Sequence, residues 1–254
     1  EVTKAFTVGN SDHSLTYGVE RFETESESTR DGGTVDSSGS PLFEFSPLPT
    51  RDFPTTNVET TAIFIQSEIA MLSDRFLLMP GLRYDDVKAT TAPDMLYFAG
   101  NPGVGEPTDF ADSATSLKLG ALYRLDNNSA VFANYSEGFR APPYDDVNLG
   151  FSSLMGGYKT VSAPNLTSEN SEGVDIGLRT RSEIWSASIA VFQTDFDDFI
   201  AAAGEGHCSR QYQVTGCRDP LDGFLVFQSE NLESVTIEGV EIKAELDLAS
   251  IGLE

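Results

Sequence analysis

No stretch of about eighteen apolar residues occurs anywhere in the chain, which excludes a transmembrane helix. A membrane β-barrel is not excluded, because its strands alternate and escape a hydropathy scan. Basic residues are scarce: 16 Lys and Arg stand against 40 Asp and Glu, a formal charge of −24. Such a chain repels nucleic acid, and no basic patch is visible along the sequence. Cysteine is limited to Cys208 and Cys217, close together in a polar stretch. One local disulfide between them fits an oxidising compartment such as a periplasm or cell surface. Histidine is limited to His13 and His207. With no metal-ligand cluster, no Gly-x-Ser-x-Gly and no phosphate-binding loop, nothing is left to do catalysis, so no enzyme is expected. The chain opens at Glu1 without a signal-peptide pattern and stops at Glu254 soon after a strong strand, so it reads as an internal piece of a longer protein.

What the sequence has is period-two alternation. Leu15, Tyr17 and Val19 oppose Thr16, Gly18 and Glu20, predicting a first strand from Leu15. Ile63, Ile65, Ile69 and Met71 mark the next, and Phe76, Leu78, Leu82 and Tyr84 the return after a tight turn at Leu72–Asp74. Leu117, Leu119, Ala121, Tyr123 and Leu125 oppose Lys118, Gly120 and Arg124, and a turn at 126–128 leads into a strand from Ser129. That strand must end near Arg140, because Pro142 and Pro143 cannot donate to a ladder. Val174, Ile176 and Leu178 define another strand, a turn at 181–183 follows, and residues 184–199 return. The last strand carries Val240, Ile242, Ala244, Leu246 and Leu248. Long polar loops are expected at 25–56, 89–113, 141–173 and 201–220, and no helix pattern or internal repeat is visible.

Two regularities decide the fold class. Tight turns and long loops alternate strictly, so every long loop falls on one edge of the sheet. The apolar face is backed by Gly, Thr, Arg, Lys, Asp and Glu instead of a second apolar set. A soluble sandwich would not sort its loops by length, and its apolar face would need a second sheet to cover it. Short turns at one end, long loops at the other and a wall apolar on one face only predict an all-β antiparallel transmembrane barrel. Lipid tolerates no open edge, so the sheet must close. About nine strands are visible, and bacterial single-chain barrels use even numbers, so the chain is an arc of a larger ring.

Tyr135-Ser136-Glu137-Gly138-Phe139-Arg140-Ala141-Pro142-Pro143-Tyr144-Asp145-Asp146-Val147-Asn148 resembles the F-R-A-P landmark of TonB-dependent outer-membrane receptors. Pro164-Asn165-Leu166, Glu169 and Gly173–Arg179 are similar to their N-P-N-L-x-P-E-x-S-x-x-Y-E-x-G-L-R run, with Ala163 where the family has Asn. Thr194–Ile200, Gly239-Val240-Glu241 and Tyr17–Glu20 resemble further barrel landmarks, and the likeness is greatest to the haem, haemoglobin, transferrin and lactoferrin receptor group. The resemblance implies a 22-stranded ring in the outer membrane of a Gram-negative bacterium, its lumen filled by an N-terminal plug. Residues 1–254 would then be a partial barrel without plug, TonB-binding segment or closing strands. Implied partners are outer-membrane lipid and lipopolysaccharide, the TonB complex acting through the plug, and haem, a haem protein or a ferric siderophore as the imported ligand. No intrinsic cofactor is implied. The rival reading is a structural or adhesive surface barrel, or an unplugged diffusion porin.

Several residues are candidates for holding such a ligand. The planar fork of Arg140 suits a carboxylate such as a haem propionate; the alternative is that it pairs with acids of the wall or plug. Relatives that take haem carry a His between the two landmarks, but here Tyr144 and Tyr158 are the only residues of haem-ligating type in that loop. His207 lies in another long loop, where it reads as an exposed loop residue ahead of an axial haem ligand, while His13 sits near the tight-turn end. Asp145, Asp146, Asp195, Asp197 and Asp198 fit no Ca²⁺-loop spacing and read as solvated carboxylates.

Overall fold

The computed structural model describes residues 1–33, 35–41, 48–101, 105–153, 156–202 and 208–247. One antiparallel sheet of nine strands dominates it, in the order β1-β2-β3-β4-β5-β6-β9-β10-β12. Its members are β1 (Val2–Val8), β2 (Ser11–Ser26), β3 (Thr55–Met71), β4 (Phe76–Ala92), β5 (Phe110–Arg124), β6 (Ser129–Arg140), β9 (Glu169–Arg181), β10 (Trp185–Ala201) and β12 (Glu230–Leu246). Each inner strand pairs with its neighbour on either side in that order, as in a meander, and β1 and β12 are the edges among the described residues. Tight turns close one edge, and the segments 27–54, 93–109, 141–168 and 202–229 emerge from the other. The turn at Leu72, Ser73 and Asp74 places all three residues at positive φ (55°, 55° and 65°) and is closed by a bond from the Arg75 amide to the Leu72 carbonyl. At the opposite end of β6, the run of Pro142 and Pro143 stops the ladder after Arg140.

The chain departs from the sequence reading in four places. β1 was not anticipated; it pairs Val2–Val8 with β2 through a turn at residues 9 and 10, so β2 begins at Ser11. The chain contains short helices, α1 (Met95–Gly100) and α2 (Tyr144–Asn148), where none was expected. β12 starts at Glu230, so the last long loop runs on to residue 229. Leu248 lies outside the described residues.

Register fixes which side chains share a face. One row crosses all nine strands as Phe6, His13, Ile69, Leu78, Ala121, Ala133, Ile176, Val191 and Val240. Eight of these are apolar, and His13 stacks on Phe6 with ring centroids 5.0 Å apart. Ile63, Ile65, Leu82, Leu117, Leu119, Val174, Ile189 and Ile242 on the same face are all exposed. An uncovered apolar surface of this extent is stable against hydrocarbon, not water.

The other face is polar but not bare of rings. Phe64, Phe132 and Phe192 lie directly across the ladder from Gly18, Gly177 and Gly239. A Cβ at those glycines would come within 2.8, 2.4 and 2.8 Å of the opposing ring, so each ring occupies the space a side chain would take. Rings lying over glycine cover backbone that glycine leaves open and pin the register.

Candidate functional site at the long-loop edge

The long loops form a knitted cap. Arg51 is its first node, with a side chain only 9% exposed. Its Nε donates to Asp94 at 2.8 Å, Nη2 to Glu27 at 2.7 Å, and Nη1 to the Ser28 carbonyl and the Thr29 hydroxyl, both at 3.0 Å. The other Asp94 oxygen caps α1 by accepting from the Tyr97 amide at 2.9 Å. Asn101 closes the far end of α1, donating to the carbonyls of Tyr97 and Arg51. The buried Tyr97 hydroxyl reaches the Asn148 carbonyl, and the Asn148 side chain exchanges hydrogen bonds with the Thr108 backbone. The first three loops are therefore joined around one guanidinium and one tyrosine.

A second node joins the third and fourth loops. β7 (Phe151–Ser153), β8 (Tyr158–Thr160) and β11 (Leu225–Phe227) make a small sheet in which β11 runs parallel to β8. Lys159 pairs with Asp219 and Asp222, and the Lys159 amine holds the Asp219 carboxyl below its ordinary range. Ser229 donates to Asp146 at 2.7 Å, while Asn231 bonds Thr167 through both its side-chain oxygen and nitrogen. Val147, Ala163, Leu166 and Ile200 form a buried apolar cluster beneath. Burial lifts the Asp146 carboxyl above its ordinary range, the Ser229 hydrogen bond opposing and the neighbouring Asp145 adding to the rise. Ala163 sits 5% exposed in this cluster, so an apolar side chain suits the position where the family landmark has Asn.

Arg140 stands half exposed at the top of β6, its Nη1 3.5 Å from Glu169 Oε2. Glu169 is 7% exposed and also accepts from the Ile200 amide at 2.9 Å. Tyr144 opens α2 and meets the edge of Phe53 at 5.5 Å. Tyr158 lies in β8 between Phe151 and Phe227, at 5.8 and 6.1 Å. The two tyrosines thus pack toward different neighbours, the first loop and the fourth, and no hydrogen bond or ring contact joins either to Arg140 among the described residues. His207 lies outside the described residues. Cys208 and Cys217 are disulfide-bonded and enclose a 3₁₀ turn at Arg210–Thr215 that includes the near-fully exposed Val214. His13 is at the tight-turn end, far along β2 from the cap.

Register also brings out residues that the sequence kept apart. Arg124, Arg179 and Lys243 fall in one cross-strand row on the polar face, against the expectation that the chain holds no basic patch. Their separation along the chain hid them; only the pairing aligns them.

A family model described as TonB dependent receptor-like, beta-barrel matches residues 2–253. Among curated proteins, "Hemoglobin-haptoglobin utilization protein B" of Neisseria meningitidis serogroup C is 28% identical over 190 residues, covering 71% of this chain and 23% of that protein. The "Rhizobactin receptor" of Rhizobium meliloti is 28% identical over 166 residues, covering 58% of this chain and 22% of that protein. The chain therefore spans less than a quarter of the length of these relatives. Among solved structures, the Serratia marcescens hemophore receptor HasR, in complex with its hemophore HasA and heme, superposes with a TM-score of 0.68 at 16% identity. That superposition covers 95% of this chain and 38% of the receptor, a likeness of fold.

Proposed function

Because the chain belongs to the TonB-dependent receptor β-barrel family, we propose that it supplies wall and external loops to an outer-membrane transporter that imports an iron-bearing ligand, haem or a haem protein ahead of a ferric siderophore. The observation that carries this is the pairing of a nine-stranded wall, apolar on one face, with long loops gathered at one edge into a hydrogen-bonded cap. A wall of that kind belongs in lipid, and a pre-formed cap offers a receptor surface at low ordering cost. Haem or haem protein ranks first because the relatives include haemoglobin-haptoglobin proteins; the rhizobactin receptor supports the siderophore variant. Import, as opposed to binding, would fall to a plug and the TonB complex, neither of which these residues supply. No catalytic role is assigned to the chain.

In this reading the cap meets the ligand, and Arg140, Tyr144 and Tyr158 are the side chains assigned to it. Tyr is a known axial ligand of ferric haem, and Arg140 has donors beyond its long contact with Glu169. The test is binding by the full-length receptor to haemin, haemoglobin and ferric siderophores side by side. Tyr144→Phe or Tyr158→Phe is expected to weaken haem binding and shift its absorption spectrum, with His207→Ala doing less. A wild-type receptor without a haem spectrum that takes up a ferric siderophore overturns the haem assignment and leaves the transporter. Binding none of these while passing small solutes freely would turn the reading into the porin alternative.

A further inference from the structure

On the apolar face, the greasy rows of the last strands end abruptly toward the long loops. On β9 the run Leu178, Ile176, Val174 gives way to Glu172, and on β12 Ile242 and Val240 give way to Glu238. Between them β10 passes from Val191 to Gln193 and Asp195. Pairing sets Glu172 opposite Asp195, and Gln193 opposite both Val174 and Glu238, so one boundary crosses all three strands. These side chains line a recess of about 420 Å³ that includes Ile176 and Val191 at its apolar end and Tyr135 of β6.

No cation of this part of the wall shares that face. Arg140, Arg179, Arg181 and Lys243 are the cations of β6, β9, β10 and β12, and by the period of two all of them fall on the polar face. Of the acids at the boundary, two are satisfied by neutral donors. Glu137 accepts from the Tyr135 hydroxyl at 2.8 Å and the Leu117 amide at 2.9 Å, and Asp195 accepts from Gln193 at 2.9 Å and Thr236 at 2.6 Å. Glu172 and Glu238 are exposed, and neither has an ion pair or side-chain hydrogen bond among the described residues. The other side of the sheet differs. Above the apolar stretch of β2–β4, Arg21 pairs with Glu59 at 2.9 Å and Lys88 with Asp86 at 3.3 Å. The wall supplies counter-charge to its outer acids there, and leaves them without it on β9 and β12.

We propose that this recess docks a membrane lipid whose headgroup carries a primary ammonium group, its acyl chain over Val174, Ile176 and Val191 and its ammonium at Glu172 and Glu238. Position selects a lipid. The recess runs from the apolar rows, which hydrocarbon covers, into the level where headgroups lie. Charge selects the headgroup. Ionised carboxylates only accept hydrogen bonds, and an ammonium brings three donors with the opposite charge. A bare phosphate headgroup would be repelled. A phosphate bridged by a metal ion would need acids that close on one point, and among the described residues no group of three His, Cys, Asp or Glu is placed to hold such an ion. The inference rests on the wall standing in lipid and is independent of which ligand is imported.

The complete receptor, purified in a non-ionic detergent, is titrated by native mass spectrometry with dioleoyl phosphatidylethanolamine, phosphatidylcholine and phosphatidylglycerol, each with and without EDTA. Choline keeps the positive charge but has no N–H, so the first two lipids isolate the donors. The expected result is that the first phosphatidylethanolamine is retained about tenfold more strongly than phosphatidylcholine, with or without EDTA. Glu172→Gln/Glu238→Gln should remove that preference. Glu172→Lys/Glu238→Lys should transfer it to phosphatidylglycerol, which keeps the site testable should the glutamine pair fold poorly. Equal retention of phosphatidylethanolamine and phosphatidylcholine by the unsubstituted receptor, a preference that survives the glutamine pair in a folded receptor, or retention that EDTA abolishes each overturn the proposal, the last in favour of a metal-bridged phosphate.

Discussion

Replacing Arg51 by Ala should loosen the cap while sparing the wall. The guanidinium makes four hydrogen bonds, two of them to carboxylates and two to neutral oxygens of the first loop. Bonds involving a charged group contribute about 1.5–3 kcal/mol each. Asp94 and Glu27 are 40% and 54% exposed, so both carboxylates regain water when the guanidinium is removed and the lower end applies. The neutral oxygens likewise recover partners from solvent. The net cost is about 3 kcal/mol, roughly a hundredfold in the local opening equilibrium. It falls on the first two loops because β3 and β4 are held by their own ladder. Hydrogen exchange on the full-length receptor in detergent should show that loss of protection at 94–101, where the cap of α1 goes with Asp94, and little change at 57–71. Arg51→Lys should fall between, keeping charge but losing the fork. A loss under about tenfold at 94–101, or equal loosening of β3, would refute the idea that Arg51 organises the cap.

Other consequences follow from the same structure. Leu119→Arg should cost about 2–4 kcal/mol near the bilayer midplane, whereas Lys118→Ala should change stability by less than about 0.5 kcal/mol; water-soluble thiol reagents should label cysteines at even positions of 117–124 in preference to odd ones, and the reverse would show that the faces are misassigned. Serine at Cys208 and Cys217, nine positions apart, should destabilise the fourth loop by about 2–3 kcal/mol in the chain-entropy model, seen as faster exchange at 210–218 with β10 and β12 unchanged. Two free thiols by mass spectrometry in protein from intact outer membranes would rule the bridge out. Asp146 titrates above its ordinary range because it is buried. A raised folded value means the penalty is present above it and fades as pH falls through it, so the hold between α2 and the fourth loop should strengthen on the acid side. Asp146→Asn should abolish that dependence; an unchanged pH profile of exchange at 144–148 and 225–229 in the variant would count against it.

The wall was legible in the sequence because its information is local. Leu117, Leu119, Ala121 and Tyr123 announce a strand by themselves, and Pro142 marks its partner's end. β1 escaped because Lys4 stands among Val2, Phe6 and Val8 on one face and Ala5 between Thr3 and Thr7 on the other, which blurs the period. α1 and α2 escaped because helices of six and five residues are too short to show a 3.6-residue repeat. The cap was not legible at all. Its bonds join Arg51 to Asp94, Tyr97 to Asn148 and Asp146 to Ser229, residues that nothing local connects. The basic row illustrates the same limit, since its three cations sit on different strands and meet only through register. Arg140, Tyr144 and Tyr158 were picked by residue type; their neighbours Glu169, Phe53 and Phe227 were not.

The rings that lie over Gly18, Gly177 and Gly239 make each ring and its glycine a single inherited unit. A mutation that gives Gly239 a side chain meets only the Phe192 ring, so it becomes tolerable once Phe192 has shrunk. Gly177 is less free, because its added Cβ would also meet the Ile189 carbonyl at 2.6 Å, and backbone does not mutate away. Lineages of this barrel should therefore exchange the partners at 192 and 239 in step, through intermediates that trade a ring for a methyl, while position 177 stays glycine whatever happens at 132. The wall's inner surface evolves by substituting pairs across the ladder, not one residue at a time.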